Sequence, residues 1–295
     1  MVLAAIDIGS NAARLLINEV KINKKGEAEF TKLNLLRIPL RLGIDVFKYG
    51  KIREKRTEMV ISSMKIFSDL MNIYGVKHYR ACATSAMRDA KNGNEIREIV
   101  KETSGIEIEI ISGDEEAGLV FENHIAETLD KDFEYLYIDV GGGSTELTFF
   151  ENNNVKYKKS FNIGTIRLMN NLVEEHHWDE LKACIKNHIK PEKPLMGIGS
   201  GGNINKIFSM SKTKEGKPMS HTMLKNFLKE LSVLSVDERM SKYKLREDRA
   251  DVLVPALEIF NKVMNWADIS KIFVPKISVA DGLIRKLYED ISKKK

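Results

Sequence analysis

Two short stretches of the chain join an aspartate to a tight turn of small residues. The first is Asp7-Ile8-Gly9-Ser10-Asn11 and the second is Asp139-Val140-Gly141-Gly142-Gly143-Ser144. Backbone N–H groups in such turns form concave nests that attract anions. A carboxylate beside a nest repels phosphate, but it can hold a divalent cation that bridges to phosphate oxygens, as Mg²⁺ commonly does. A third glycine cluster, Gly197 to Gly202, follows the apolar pair Leu195-Met196 and shares the strand-into-turn layout. Structural turns with an aspartate cap are the plain alternative. Two matched copies and a third glycine loop favour a metal-assisted phosphate site.

The elements that must position these turns repeat as well. Apolar residues 3–6 and 136–138 lead into the aspartates, and Leu15-Leu16-Ile17 and Leu147-Thr148-Phe149-Phe150 resume strand-like sequence afterwards. Glycine and β-branched residues crowd both turns, which disfavours helix and fits strand–turn–strand. The chain therefore reads as two similar halves, each opening on a β-hairpin.

Further along, helical spacing of Val60, Met64, Phe67 and Met71 predicts a helix over 53–73. Strand 76–82, helix 94–102, strand 107–111 and a helix starting at Ser112 follow. In the second half the pattern predicts helix 178–188, strand 195–198, helices 203–210, 222–234 and 246–265, strand 272–275 and helix 280–292. Alternating strands and helices place the chain in the α/β class.

At 295 residues, 43% hydrophobic and 30% charged, the chain suits two domains with real cores and excludes intrinsic disorder. Cys82 and Cys184 make no disulfide framework and lack metal-ligand spacing, so a reducing compartment is expected. No apolar run reaches the roughly 20 residues of a membrane span, and residues 1–6 lack the basic leader of a signal peptide. A soluble, cytoplasmic protein with no membrane partner is the expectation.

The net charge of +5 is spread along the chain rather than gathered, which argues against nucleic acid as a partner. The runs Lys156-Tyr157-Lys158-Lys159 and Lys293-Lys294-Lys295 read as solvated loops and tail. The six histidines, at 78, 124, 176, 177, 188 and 221, accompany no Gly-x-Ser-x-Gly elbow, so a serine triad is not indicated. Adjacent His176 and His177 diverge by about 100° on a helix and do not read as metal ligands. Trp178 and Trp266 read as core or interface aromatics.

With these residues in view, the chain resembles the exopolyphosphatase/guanosine pentaphosphate phosphohydrolase (Ppx/GppA) family in its short, two-domain form. Asp7 to Asn11 followed by Arg14-Leu15 looks like the first family signature. Arg41-Leu42-Gly43, Ala83-Thr84-Ser85-Ala86-Met87-Arg88-Asp89-Ala90 and Ile110-Ile111-Ser112-Gly113-Asp114-Glu115-Glu116-Ala117 match in order. Residues 138–147, Asn162-Ile163-Gly164-Thr165-Ile166-Arg167-Leu168 and Arg249-Ala250-Asp251 continue the match almost to the last residues.

The resemblance implies duplicated actin-like (ribonuclease-H-like) domains with an interdomain cleft. Residues 1–120 would form the first domain and 121–280 the second, with a final helix, 280–295, packing back on the first. It implies Mg²⁺-dependent hydrolysis of a terminal phosphoanhydride, with polyphosphate or guanosine penta- or tetraphosphate as substrate, and a possible homodimer. Glu116 matches the base that activates water, and Arg88 an arginine on the phosphate path. Asp7, Asp139 and Glu146 are the metal candidates. Gly9, Ser10, Asn11, Arg14, Gly141, Gly142, Gly143, Ser144, Arg167, Gly201 and Gly202 are the phosphate-binding candidates. Like-charged neighbours Asp114 and Glu115 would raise the Glu116 pKa and make it a better base.

Three positions depart from the family pattern: Ala12-Ala13 after the first turn, Gly118 after the Glu-Glu-Ala, and the detail of the Gly197–Gly202 loop. Two other functions fit the same plan. One is an ATP-dependent actin-like sugar kinase, and the other a non-catalytic polyphosphate or alarmone sensor.

Overall fold

The computed structural model describes residues 1–121, 130–151, 154–275 and 278–293. His124, Lys294 and Lys295, named above, lie outside the described residues. The chain divides into two compact units, Met1–Asn123 with Ser278–Lys295, and His124–Ile277.

The first unit is built on a five-stranded sheet. Its strands are β1 (Val2–Ile8), β2 (Ala13–Ile22), β3 (Ala28–Ile38), β4 (His78–Ala83) and β5 (Ile108–Ile110), in the order β3-β2-β1-β4-β5. The first three are antiparallel neighbours, and β1, β4 and β5 run parallel. Five helices accompany them: α1 (Leu42–Tyr49), α2 (Glu54–Ile73), α3 (Ser85–Asp89), α4 (Gly93–Ser104) and α5 (Gly113–Phe121). β1 is buried almost throughout, as a strand covered on both faces must be, and its unbroken apolar run follows from that. Ile6, Ile8, Met64 and Phe67 lie fully buried in this core.

The second unit repeats the plan. β6 (Glu134–Val140), β7 (Thr145–Glu151) and β8 (Asn154–Phe161) form the antiparallel part, and β9 (Leu195–Ser200) runs parallel to β6. β10 (Met219–Ser220) and β11 (Lys271–Phe273) complete a sheet ordered β10-β11-β9-β6-β7-β8. Removing the edge strand β10 leaves the same order as in the first unit, with β11 in the place of β5. The helices are α6 (Thr165–Met169), α7 (Glu175–His188), α8 (Gly202–Ser211), α9 (His221–Ser232), α10 (Val236–Tyr243), α11 (Glu247–Ala250) and α12 (Leu253–Trp266). Phe260 on α12 and Leu136 and Ile138 on β6 are fully buried in its core.

A last helix, α13 (Val279–Ser292), belongs to the first unit, where it packs on β1, β2, β4 and α5. Ser278 and Asp281 form a capping box at its start. Lys32 on β3 reaches Asp281 at 3.5 Å, and Phe30 receives Tyr288 edge-on and Arg285 over its ring. Among the described residues no helix is long and apolar enough to cross a membrane.

Several sequence expectations change. The lysine run 156–159 is not a loop but lies in β8, the edge strand, where lysines discourage further strand pairing. The helix expected over 246–265 is two helices, α11 and α12. Pro255 falls in the first turn of α12, where its missing N–H has no intrahelical acceptor to lose. Residues 197–199 belong to strand β9 rather than to a glycine loop. A Cβ on Gly199 would stand 2.9 Å from Ile272 and 3.0 Å from Ile204, so this glycine serves close packing.

Candidate active site

The two acid-bearing turns have one geometry. Each has four residues, 9–12 and 141–144, and each is closed by its first N–H. Gly9 donates to the Ala12 carbonyl at 3.0 Å, and Gly141 to the Ser144 carbonyl at 2.9 Å. Gly9 and Gly141, both among the phosphate-binding candidates, therefore spend their own N–H groups inside the turns. The N–H groups of Gly142 and Gly143 donate to no other described residue.

The β6–β7 register places Asp139 opposite Glu146, and the β6–β9 register places Asp139 beside Ser200. Residues directly opposite on neighbouring strands face the same side of the sheet. Asp139 and Glu146 are both buried, at 9% and 2% exposure, so two carboxylates share one level of one sheet face. Ser200 Oγ donates to Asp139 Oδ2 at 3.4 Å, and Ser160 Oγ to Glu146 Oε1 at 2.8 Å. Gly201 brings the backbone against this pair. At φ +99 it holds a conformation that favours glycine, and a Cβ there would stand 3.0 Å from Asp139 Oδ1.

Like charges set directly opposite each other destabilise a sheet, and an oxygen-only donor set suits a hard cation. Among the described residues no group of three or more His, Cys, Asp or Glu is gathered for a metal. Mg²⁺ needs no such cage, since it is usually held by one or two carboxylates and keeps waters or phosphate oxygens as its other ligands. Asp139 and Glu146 fit that requirement.

The first unit answers the same register differently. Asp7 lies opposite Arg14 and beside Cys82. Arg14 Nη1 donates to Asp7 Oδ2 at 2.7 Å, and Asp7 is buried. Asp7 and Arg14, expected separately at metal and phosphate, are thus joined in one ion pair. Ser10 Oγ pairs with Ser85 Oγ at 2.8 Å, fastening the first turn to α3. Burial pushes the Cys82 thiol up to about 12, so it stays protonated and unreactive at neutral pH.

Arg88 and Glu116 are placed by the same segment of the first unit. Arg88 Nη1, on α3, donates to the Ile111 carbonyl at 2.8 Å, and Ile111 N–H donates to the Ala83 carbonyl at the end of β4. Residues 111–112 lead directly into α5, where Ser112 caps the helix by accepting from Glu115 N–H at 3.1 Å. Arg88 spends one of its five donors on this link.

The glutamates of the pair part company. Glu115 lies 2.9 Å from Arg80, which also holds Glu109 at 2.7 Å, and hydrogen bonding to Glu109 drives the Arg80 pKa upward. Glu116 instead carries an Oε2 shielded from solvent. Arg80 also offsets the Glu115 charge expected to perturb Glu116.

Arg167, expected at phosphate, also contacts the second turn itself. Its Nε donates to the Gly143 carbonyl at 2.8 Å, so it holds the second turn from behind. Gly202 opens α8, and Gly201 precedes it. His177 Nδ1 accepts from Glu174 N–H at the start of α7, which is a capping role rather than metal binding. Trp178 meets Trp266 edge-on at 6.1 Å, and Lys262 lies over Trp178. Composition pointed to none of Ser85, Ser160 or Arg80. The register of the hairpins did carry a signal, because Asp7 and Arg14 have the same spacing as Asp139 and Glu146.

Two copies of one sheet plan, each opening on an acid-bearing four-residue turn, define a duplicated actin-like α/β protein. Residues 21–290 match the model of the Ppx/GppA phosphatase family, and the chain belongs to that family. Among relatives, a bifunctional 3-dehydroquinate synthase/phosphatase of Fusobacterium nucleatum is 34% identical over 169 residues, 56% of this chain and 25% of the relative. A guanosine-5'-triphosphate,3'-diphosphate pyrophosphatase of Vibrio parahaemolyticus is 21% identical over 98% of this chain and 59% of its own length. Exopolyphosphatase 1 of Mycobacterium bovis is 24% identical over 97% of this chain and 88% of its own. The chain thus spans a quarter of the first of these and 59% of the second. The crystal structure of the Aquifex aeolicus Ppx/GppA family member aligns with a TM-score of 0.77 at 25% identity, over 100% of this chain and 99% of that one.

Proposed function

We propose that the chain is a phosphoanhydride hydrolase that releases inorganic phosphate, with Mg²⁺, from the ends of polyphosphate or from pppGpp. One observation carries this reading: the buried cross-strand pair Asp139 and Glu146 lies at the mouth of a glycine turn whose Gly142 and Gly143 amides donate to no other described residue. Two carboxylates at one level suit a cation, and backbone amides beside them suit phosphoryl oxygens.

Phosphoryl transfer to water requires charge neutralisation on the transferred group and a water held in line with the leaving oxygen. Mg²⁺ held by Asp139 and Glu146 would neutralise charge on the phosphoryl oxygens. Gly142 and Gly143 donate N–H groups to the equatorial oxygens. Arg88 offers the planar fork of its guanidinium to phosphate. Glu116 accepts the proton of the attacking water, and its shielded oxygen is the feature that separates it from Glu115. The substrate classes come from the printed names of two relatives, an exopolyphosphatase and a guanosine-5'-triphosphate,3'-diphosphate pyrophosphatase.

The test is phosphate release with Mg²⁺ from short polyphosphate, long polyphosphate, pppGpp and ATP. Release from one of the first three is expected, with a loss of about 10²- to 10⁴-fold in Glu116→Gln and retained phosphate binding. Release from ATP only with an acceptor present would instead indicate a kinase. Substrate binding without any release would indicate a sensor.

A further inference from the structure

Two family-like segments, 41–43 and 162–168, have no part in the mechanism above, yet they occupy corresponding places in the two units. Each follows the third strand of its sheet, β3 or β8, and each leads into a helix. In the second unit the carbonyls of the three turn glycines are all taken by this segment. Thr165 N–H donates to Gly141 O at 3.0 Å, Ile166 N–H to Gly142 O at 2.8 Å, and Arg167 Nε to Gly143 O at 2.8 Å. Approach this close needs Gly164, because a Cβ there would stand 2.5 Å from Gly142 C and O and from Gly143 C. Thr145 Oγ1 anchors the strap from below by donating to the Ile163 carbonyl at 2.6 Å.

In the first unit the same device recurs. Gly43 N–H donates to Ser10 O and Arg41 N–H to Asn11 O, both at 2.9 Å. Arg41 adopts a left-handed φ of 53 at this point, a conformation that costs a non-glycine residue energy and so is held by its surroundings.

The consequence follows from the planarity of the peptide bond. In a trans peptide the N–H points opposite to the carbonyl of the preceding residue. Holding the carbonyls of Gly141, Gly142 and Gly143 on the α6 side turns the N–H groups of Gly142, Gly143 and Ser144 to the other side together. A glycine turn left to itself samples many orientations of these peptides, and fixing them removes that entropy before any ligand arrives.

We propose that residues 164–167 are a positioning strap that presets the amides of Gly142, Gly143 and Ser144 as one phosphoryl-binding set, and that Arg167 is a positioning residue rather than a phosphate ligand. This rests on the hydrolase reading and specifies how its phosphate loop is made rigid. The first turns of α6 are not themselves an anion site, since their N–H groups are spent on the loop carbonyls.

Thr165→Pro isolates the effect. Position 165 is the first residue of α6, where proline is tolerated; the substitution removes its N–H, and with it a buried side-chain hydroxyl that holds no hydrogen bond among the described residues. Gly164 already has the extended ψ of 163 that a residue before proline requires. Titration of the Mg²⁺-loaded protein with inorganic pyrophosphate, steady-state phosphate release and thermal melting are compared for wild type, Thr165→Pro, Arg167→Ala and Arg167→Lys. Thr165→Pro and Arg167→Ala are expected to weaken pyrophosphate binding roughly tenfold and to lower kcat more than they raise KM, with melting little changed. Arg167→Lys, which keeps a donor for a carbonyl but loses the planar fork, is expected to recover most of the binding.

Wild-type binding matched within twofold by Thr165→Pro would overturn the strap. Should Thr165→Pro fail to fold, failure of Arg167→Lys to recover what Arg167→Ala loses would overturn the positioning role. Absence of both pyrophosphate binding and phosphate release in the wild type would overturn the hydrolase reading, and the strap with it.

Discussion

The two units share their strand order, their four-residue turn and their strap, yet they differ at two positions of one register. Opposite the aspartate the first unit has Arg14 and the second has Glu146; beside it the first has Cys82 and the second Ser200. The first aspartate is therefore paired with a guanidinium across its hairpin, whereas the second faces another carboxylate. The same scaffold thus occurs twice, with a change of charge at one cross-strand position. On the proposed hydrolase reading the metal-holding carboxylates Asp139 and Glu146 belong to the second unit, and Arg88 and Glu116 belong to the first.

The largest expected effect comes from giving the second unit the charge pattern of the first. Glu146→Arg should abolish Mg²⁺-dependent phosphate release while Asp139 gains the ion pair that Asp7 has. Activity within tenfold of wild type would end the assignment of Glu146 as a metal ligand. The milder Glu146→Gln should cost at least about 100-fold in turnover. Without metal it should melt slightly above wild type, because one of two facing like charges is gone. Addition of Mg²⁺ should then raise the melting temperature of wild type and not of the variant.

Next in size is the ion pair of the first unit. Arg14→Ala leaves Asp7 buried without its guanidinium, and losing one partner of a fully buried pair costs 3–5 kcal/mol. Arg14 is about a quarter exposed, so solvent screening reduces the expectation to about 1–3 kcal/mol, read from urea denaturation. An unchanged midpoint would mean that Asp7 has another compensating partner.

The smallest effect concerns Cys82, which takes the register position of Ser200. The folded protein holds this proton until about pH 12, whereas an unfolded thiol releases it near its ordinary value of 9.0. Between these values the unfolded state binds fewer protons, so stability falls as pH rises through that window. Below the window the thiol contributes no pH dependence. Cys82→Ser should flatten the alkaline limb of a stability profile, and an unchanged limb would assign it to other groups.

The turns were legible in the sequence because aspartate, glycine and small hydroxyl residues between apolar runs leave few backbone alternatives. The straps and the edge strands were not. β3 and β8 carry polar and charged residues on edges that bury little, so the alternation that marks a half-buried strand is diluted by lysine and glutamate. α3 and α6, at five residues each, are too short to show a helical period, and tertiary hydrogen bonds rather than local preference fix their place. The roles of Glu115 and Glu116 also escaped composition, since the distinction depends on Arg80, which arrives from β4. Equal spacing from each aspartate to its cross-strand partner was present throughout, but it gains meaning only once the hairpin register is known.

The return of α13 to the first unit bears on how the protein comes off the ribosome. Every strand of the second unit has been synthesised by Phe273, so that unit can fold as soon as its residues emerge. Most of the first unit precedes the second in the chain, yet it has to wait for residues 279–292 to cover β1 and β4. Its central strand, made long before that helix, is thus among the last to be shielded from water. Until then its apolar face is exposed to wrong partners, and this interval is where chaperones would matter most.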